Sequence, residues 1–203
     1  MFRTSLMVAV VAVLTAGSVW ADDIVPAPWR GDGLYTFQEW EFHTPGSIPP
    51  DGDIPPINPN GTPLVFPGAG VLWTDDFAAT GLDGYVGTGG TGSELVFEIP
   101  NYIDFEPIKY IRVQINGIWS PSVPPSVIGI TAFDNVVGPS VLVGFDGSDE
   151  TFPGFHRWED WHIIPNPDFE TIAIGIPAGA FVNQVVIETT SIPEPASLGL
   201  LAC

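Results

Sequence analysis

Pro107-Ile108-Lys109-Tyr110-Ile111-Arg112-Val113-Gln114-Ile115-Asn116-Gly117-Ile118-Trp119 is the stretch that decides the class of fold. Within it Ile111, Val113 and Ile115 alternate with Tyr110, Arg112 and Gln114. Successive side chains of an extended chain point to opposite sides, so this alternation predicts a strand with one face in a core and the other in water.

Further strands follow on both sides. Leu34 to His43 is rich in β-formers, with Leu34, Trp40 and Phe42 sharing a side, and Glu94 to Ile99 turns Leu95, Phe97 and Ile99 one way. Val127 to Phe133 and Val141 to Phe145 are apolar runs of the kind buried on both faces, and Phe155 to Ile164, Thr171 to Ile176 and Gln184 to Thr190 complete the set. No segment past the N-terminal apolar run keeps a 3.6-residue apolar period. The 22 prolines and 23 glycines interrupt most windows long enough for a helix. Aromatic and β-branched residues are too plentiful for disorder. Many short strands without crossover helices predict an all-β fold, an antiparallel β-sandwich of jelly-roll type.

Thr44 to Gly70 breaks the pattern. Pro45, Pro49, Pro50, Pro55, Pro56, Pro59, Pro63 and Pro67 remove backbone donors, while Asp51-Gly52-Asp53 and Asn60-Gly61 supply turns. The segment reads as a long loop within one domain, because the strand before it cannot form a core alone and must return to the sandwich.

The N-terminus reads as an export signal. Arg3 provides a positive charge, Leu6 to Ala16 an apolar core, and Val19-Trp20-Ala21 small residues at the positions a signal peptidase recognises, with cleavage after Ala21. The apolar run is shorter than the roughly 20 residues a membrane span requires. Residues 22–191 are then the β-sandwich domain. Without residues 1–21 the chain carries four Lys/Arg against 24 Asp/Glu, a formal charge of −20. That balance disfavours nucleic acid and anionic lipid as partners, and leaves cations, basic proteins or neutral surfaces such as polysaccharide. The single cysteine, Cys203, permits no disulfide within the domain, so stability rests on the apolar core.

Catalytic signatures are few. The sequence holds no Gly-x-Ser-x-Gly elbow, no His-Glu-x-x-His, no phosphate-binding glycine loop and no thiol inside the domain, and it reads as non-enzymatic. A glycoside hydrolase would need two converging carboxylates, which abundance alone does not locate. On a regular strand His156, Trp158, Asp160 and His162 share a face. His156 and His162 are then about 20 Å apart, too far for one metal ion. The carboxylates of Asp146, Asp149 and Glu150, of Asp51 and Asp53, and of Asp75 and Asp76 suit Ca²⁺ chemically without matching a calcium-loop spacing. Trp29, Trp40, Trp73, Trp119, Trp158 and Trp161 are either core or sugar-stacking residues. Because Trp158 and Trp161 have opposite parity, one of them is expected at the surface, and the pair is the candidate carbohydrate contact.

The C-terminal run Ile192-Pro193-Glu194-Pro195-Ala196-Ser197-Leu198-Gly199-Leu200-Leu201-Ala202 brings Pro-Glu-Pro to the edge of an apolar stretch. Together with the export signal it resembles the beginning of a PEP-CTERM sorting tail, the segment processed by exosortase-type enzymes in Gram-negative bacteria. Thr36 to Phe42, Asn58 to Pro63, Pro107 to Gln114, Trp158 to Pro167 and Val185 to Pro195 are similar to secreted PEP-CTERM cargo of planctomycete type. The resemblance implies processing by a signal peptidase and a sorting enzyme at Pro193, Glu194 and Pro195. It also implies a place at the cell surface or in an exopolysaccharide matrix. A full tail continues into a membrane span and a basic cluster. Residues 192–203 therefore correspond to a truncated tail, with no stable membrane span in the chain as it stands.

Overall fold

The alternating stretch becomes β6, Ile108–Ile118, the central strand of the larger of two sheets. The computed structural model describes residues 25–89, 93–101, 107–118, 125–132, 141–146, 154–164, 166–167 and 169–192. The export segment with Ala21, the Pro193-Glu194-Pro195 motif, Trp119, Asp149 and Glu150 lie outside the described residues.

Ile111, Val113 and Ile115 are fully buried, as the alternation requires. The opposite face departs from expectation, because Arg112, Gln114 and Asn116 are buried too rather than in water. Period-two patterning reports the polarity of a face, not what covers it. Here residues 25–35 lie over the polar face and supply hydrogen-bond partners, which removes the penalty for burying it.

All strand pairings within the two sheets are antiparallel. In the seven-stranded sheet, β3 (Val71–Thr74), β4 (Gly84–Gly87), β11 (Phe181–Ile192), β6, β9 (Gly154–Ile163) and β8 (Val141–Asp146) lie side by side in that order. One edge of β11 is shared. Phe181 and Val182 pair with β4, whereas Val185 to Thr189 pair with β1 (Thr36–Trp40). The four-stranded sheet runs β2 (Leu64–Pro67), β5 (Glu94–Pro100), β10 (Phe169–Gly175) and β7 (Ser126–Ala132).

The sheets face one another as a β-sandwich. Trp40 from one and Phe97 from the other meet edge-to-face at 4.9 Å between ring centroids, a geometry that aromatic quadrupoles favour. Trp40 is completely buried, and its indole N–H donates to the Ile48 carbonyl at 3.3 Å. Among the described residues the only helical element is a 3-10 turn at Phe77–Ala79. No helix among them is long and apolar enough to cross a membrane.

The Pro-rich segment differs from a plain loop. It contains β2, whose Pro67 is tolerated because an edge strand does not need every N–H. Ile57 exchanges two 2.8 Å backbone hydrogen bonds with Phe37 and so covers part of the free edge of β1. The sequence reading also omitted β3 and β4, each four residues long and bounded by glycine, too short to show a period.

Candidate functional site

Register places Glu188 of β11, Arg112 of β6 and Asp160 of β9 in one row across the outer face of the large sheet. Arg112 donates Nε and Nη2 to the two Asp160 oxygens, each at 2.7 Å, and Nη1 to the carbonyls of Val25 and Pro26 at 3.2 and 3.1 Å. Glu188 is fully buried. Its carboxylate accepts from Ala27 N at 2.9 Å, Arg30 Nε at 2.6 Å, Tyr35 Oη at 3.0 Å and Gln114 Nε2 at 3.4 Å. A carboxylate with this many donors is stable away from water, and its charge holds the strap of residues 25–35 against the sheet. Trp29 of the strap contributes an aromatic contact with Tyr110 at 5.7 Å between centroids.

A second polar row spans four strands. His156 Nδ1 contacts Asn116 Oδ1, Asn116 Nδ2 donates to Gln184 Oε1, and Gln184 Nε2 donates to Glu39 Oε1 at 2.6 Å. The other Glu39 oxygen accepts from Ile54 N at 3.1 Å, tying β1 to the Pro-rich loop.

Trp158 and Trp161 fall on opposite faces of β9. Trp158 pairs in register with Gln114 on the outer face and lies under the Arg112 guanidinium at 4.3 Å; Trp161 packs against the core and donates Nε1 to Glu159 at 3.1 Å. They cannot line one ligand surface together. Trp40 and Trp73 are structural, the latter donating to the Phe42 carbonyl at 2.8 Å. His162 stands edge-on to Tyr110 at 6.0 Å between centroids.

The acidic loops have protein partners. Asp51 accepts from the backbone N–H groups of Glu41, Phe42 and His43 at 2.9, 3.2 and 2.8 Å, closing a bend in which Phe42 has a left-handed φ of 57°. Asp76 accepts from Gly81 N at 2.7 Å. Burial, reinforced by Asp53 and Glu39, pushes the Glu41 carboxyl up to about 7. Among the described residues no three His, Cys, Asp or Glu side chains are arranged to hold a metal ion. Asp149 and Glu150 lie outside that set, as does the side chain of Asp146.

Beside the strap is an open groove of about 410 Å³, bordered by Arg30, Asp32, Tyr35, Phe37, Ile54 and Ile57. Tyr35 and Phe37 are buried beneath it, so its accessible wall is aliphatic, with Ile54 and Ile57 exposed by 41% and 50%. The glycines at 31 and 33 leave the Asp32 side of the rim open.

A third polar cluster lies between the sheets, where the sequence reading placed nothing. Lys109 shares the face of Ile111, Val113 and Ile115, and Glu170 shares that of Ile172 and Ile174, so both point inward; each is 0% exposed. Lys109 Nζ contacts Asn101 Oδ1, lies 3.4 Å from Ser191 Oγ and 3.8 Å from Glu170 Oε1. Asn101 Nδ2 donates to Asn166 Oδ1 at 2.9 Å and to the Pro167 carbonyl. Neither Glu170 oxygen accepts a hydrogen bond, and burial pushes this carboxyl up to about 7 although Lys109 acts in the opposite direction. The available signal was parity, since a lysine and a glutamate fall on faces otherwise made of isoleucine and valine.

No family model, curated protein or solved structure matches the chain.

Proposed function

We propose that the protein is an exported, non-enzymatic, jelly-roll-like domain displayed at the cell surface or in an exopolysaccharide matrix, addressed there by a signal peptide and a PEP-CTERM-type tail. The observation that supports this reading is where the described strands and strap lie along the chain. Val25, close behind Ala21, already donates its N–H to Gln114 at 3.0 Å, and β11 runs to Ile192, the residue before Pro193. The described strands thus lie between the two proposed address segments in sequence. A rigid Pro-Glu-Pro directly after β11 suits presentation of a cleavage site to a membrane-embedded protease. The test adds a complete sorting tail after Pro195 and compares hosts with and without an exosortase-type enzyme by mass spectrometry of the mature C-terminus. Cleavage near Pro193-Glu194-Pro195 only where the enzyme is present is expected; an intact tail in both hosts overturns the sorting reading.

A second reading, a carbohydrate-binding module, is favoured by the groove, where Asp32 and Arg30 offer polar contacts beside the Ile54 and Ile57 wall. Retardation in gels containing the host's exopolysaccharide, lost in Ile57→Asp, supports it. Unchanged mobility of the parent protein removes it.

A further inference from the structure

Lys109 is the only lysine among 203 residues, in a chain with 24 acidic side chains, and it is placed where no water reaches it. A lone ammonium kept for solubility belongs at the surface. Buried between two sheets it is costly unless its chemistry is used, and the side chains around it are those an amide-forming reaction requires.

We propose that Lys109 and Asn101 join in an intramolecular isopeptide bond, with Glu170 as the proton shuttle. Asn101 directly follows β5 in the small sheet, and Lys109 lies near the start of β6 in the large one. The new amide therefore links the two layers of the sandwich covalently. Nζ is in contact with the Asn101 side-chain carbonyl, so the attacking nitrogen and the carbon it must reach are held together by the fold, which supplies the proximity such a reaction needs.

The chemistry balances without any outside reagent. Proton transfer from the Lys109 ammonium to the Glu170 carboxylate, 3.8 Å away, leaves a neutral amine beside a neutral acid and removes two buried charges at once. The amine attacks Asn101 Cγ, forming the C–N bond and placing negative charge on Oδ1. Glu170 gives its proton to the departing Nδ2 and takes one from the attacking nitrogen. The C–Nδ2 bond then breaks, ammonia leaves, and Glu170 ends as the neutral acid it became in the first transfer, the ammonium proton accounting for the difference. No oxidation or reduction takes place. A raised affinity of Glu170 for its proton is what this shuttle requires, and complete burial between the sheets favours the neutral acid.

Surroundings support the assignment. In register Lys109 stands between Ser191 and Ile163, and Glu170 beside Ile99; both reacting side chains are fully buried, where water does not compete with the amine. Asn166 and Pro167 fix the Asn101 amide through Nδ2, leaving the carbonyl turned toward Nζ. The inference stands independently of the export and sorting reading.

Mass spectrometry of the purified chain tests it. Loss of ammonia lowers the intact mass by about 17 Da relative to the sequence. After denaturation, trypsin has sites beyond Arg3 at Arg30, Lys109, Arg112 and Arg157. An acylated Lys109 is not cut, so the expected product is a single fragment of residues 31–112, light by the same mass, with an internal Asn101–Lys109 link in its fragmentation spectrum. Full mass with cleavage at Lys109 overturns the proposal. Glu170→Gln separates the shuttle from the fold: the link should be absent while the β-type circular dichroism is retained. A Glu170→Gln protein that forms the link as completely as the parent overturns the role of Glu170. Should that variant not fold, the mass and peptide map of the parent chain still decide whether the bond exists.

Discussion

Arg112 and Asp160 meet in a bidentate pair, two parallel hydrogen bonds of 2.7 Å, on a strand face that alternation alone assigns to water. The pair is strengthened because the same guanidinium lies over Trp158 at 4.3 Å and donates to two carbonyls of the strap. Arg112→Ala leaves the strap carbonyls and Asp160 unpaired, and should destabilise the domain by about 3 kcal/mol. Arg112→Lys keeps the charge but not the planar fork, and should lose about 1–2 kcal/mol. Equilibrium denaturation with unchanged m-value measures both; equal losses for the two variants would show that the fork geometry is immaterial.

The buried acid between the sheets gives stability a direction with pH. Glu170 holds its proton up to about 7 in the folded state because it is buried, Lys109 acting in the opposite direction until the proposed amide removes its charge, whereas the ordinary carboxyl value is 4.5. Between these values the folded state binds more protons than the unfolded one, so this contribution is fully present below about pH 4.5 and is lost as pH rises through about 7. Glu41, raised to about 7 mainly by burial, adds a smaller effect of the same sign, discounted for its partial exposure. Melting temperature should therefore fall over that window, and Glu170→Gln should flatten most of the slope. A slope unaltered in the variant would assign the effect elsewhere.

Much of this architecture was legible from alternation. The runs around Phe97, Val113 and Ile172 each kept a period of two, and all three residues are fully buried in the core. What alternation could not convey was the contents of the outer layer. Gln114 and Glu188 look solvent-facing in sequence because their partners are more than 70 residues away, and Glu188 meets Ala27 and Arg30 only through the fold. The candidate tryptophans show the same limit. Parity separated Trp158 from Trp161 correctly, yet could not reveal that Arg112 covers the outer one. For Lys109 and Glu170 the signal existed, since each breaks an apolar face, but a polar residue at a strand end reads by default as the place where the strand meets water.

Gly52 should tolerate no side chain. A Cβ there would lie 2.2 Å from Glu39 Cγ, and Glu39 is the end of the hydrogen-bonded row reaching Gln184 and Ile54. Gly52→Ala should displace that carboxylate and leave the buried Gln184 amide short of a partner, a loss of about 2 kcal/mol. Thermal denaturation measures it, and a melting temperature within a degree or so of the parent would mean that the loop yields without cost.

The strap offers the most direct readout, because it carries its own protease site. Arg30 is followed by Gly31 in a segment pinned to the sheet through Glu188, which accepts from Ala27, Arg30 and Tyr35 at once. Glu188→Ala removes all three contacts, including the ion pair to the partly exposed Arg30 guanidinium. At about 3 kcal/mol, the opening equilibrium of the strap should rise roughly a hundredfold. Under native conditions trypsin should then cut the variant after Arg30 about that much faster than the parent, while the core strands resist. Amide exchange should accelerate at Ala27 and Tyr35 but not at Val113 on β6. Equal cleavage rates in parent and variant would show that the strap is held by its ring contacts, Trp29 against Tyr110 and Arg30 over Phe37, and by the Arg112 and Gln114 hydrogen bonds to Val25 and Pro26, and not by the buried carboxylate.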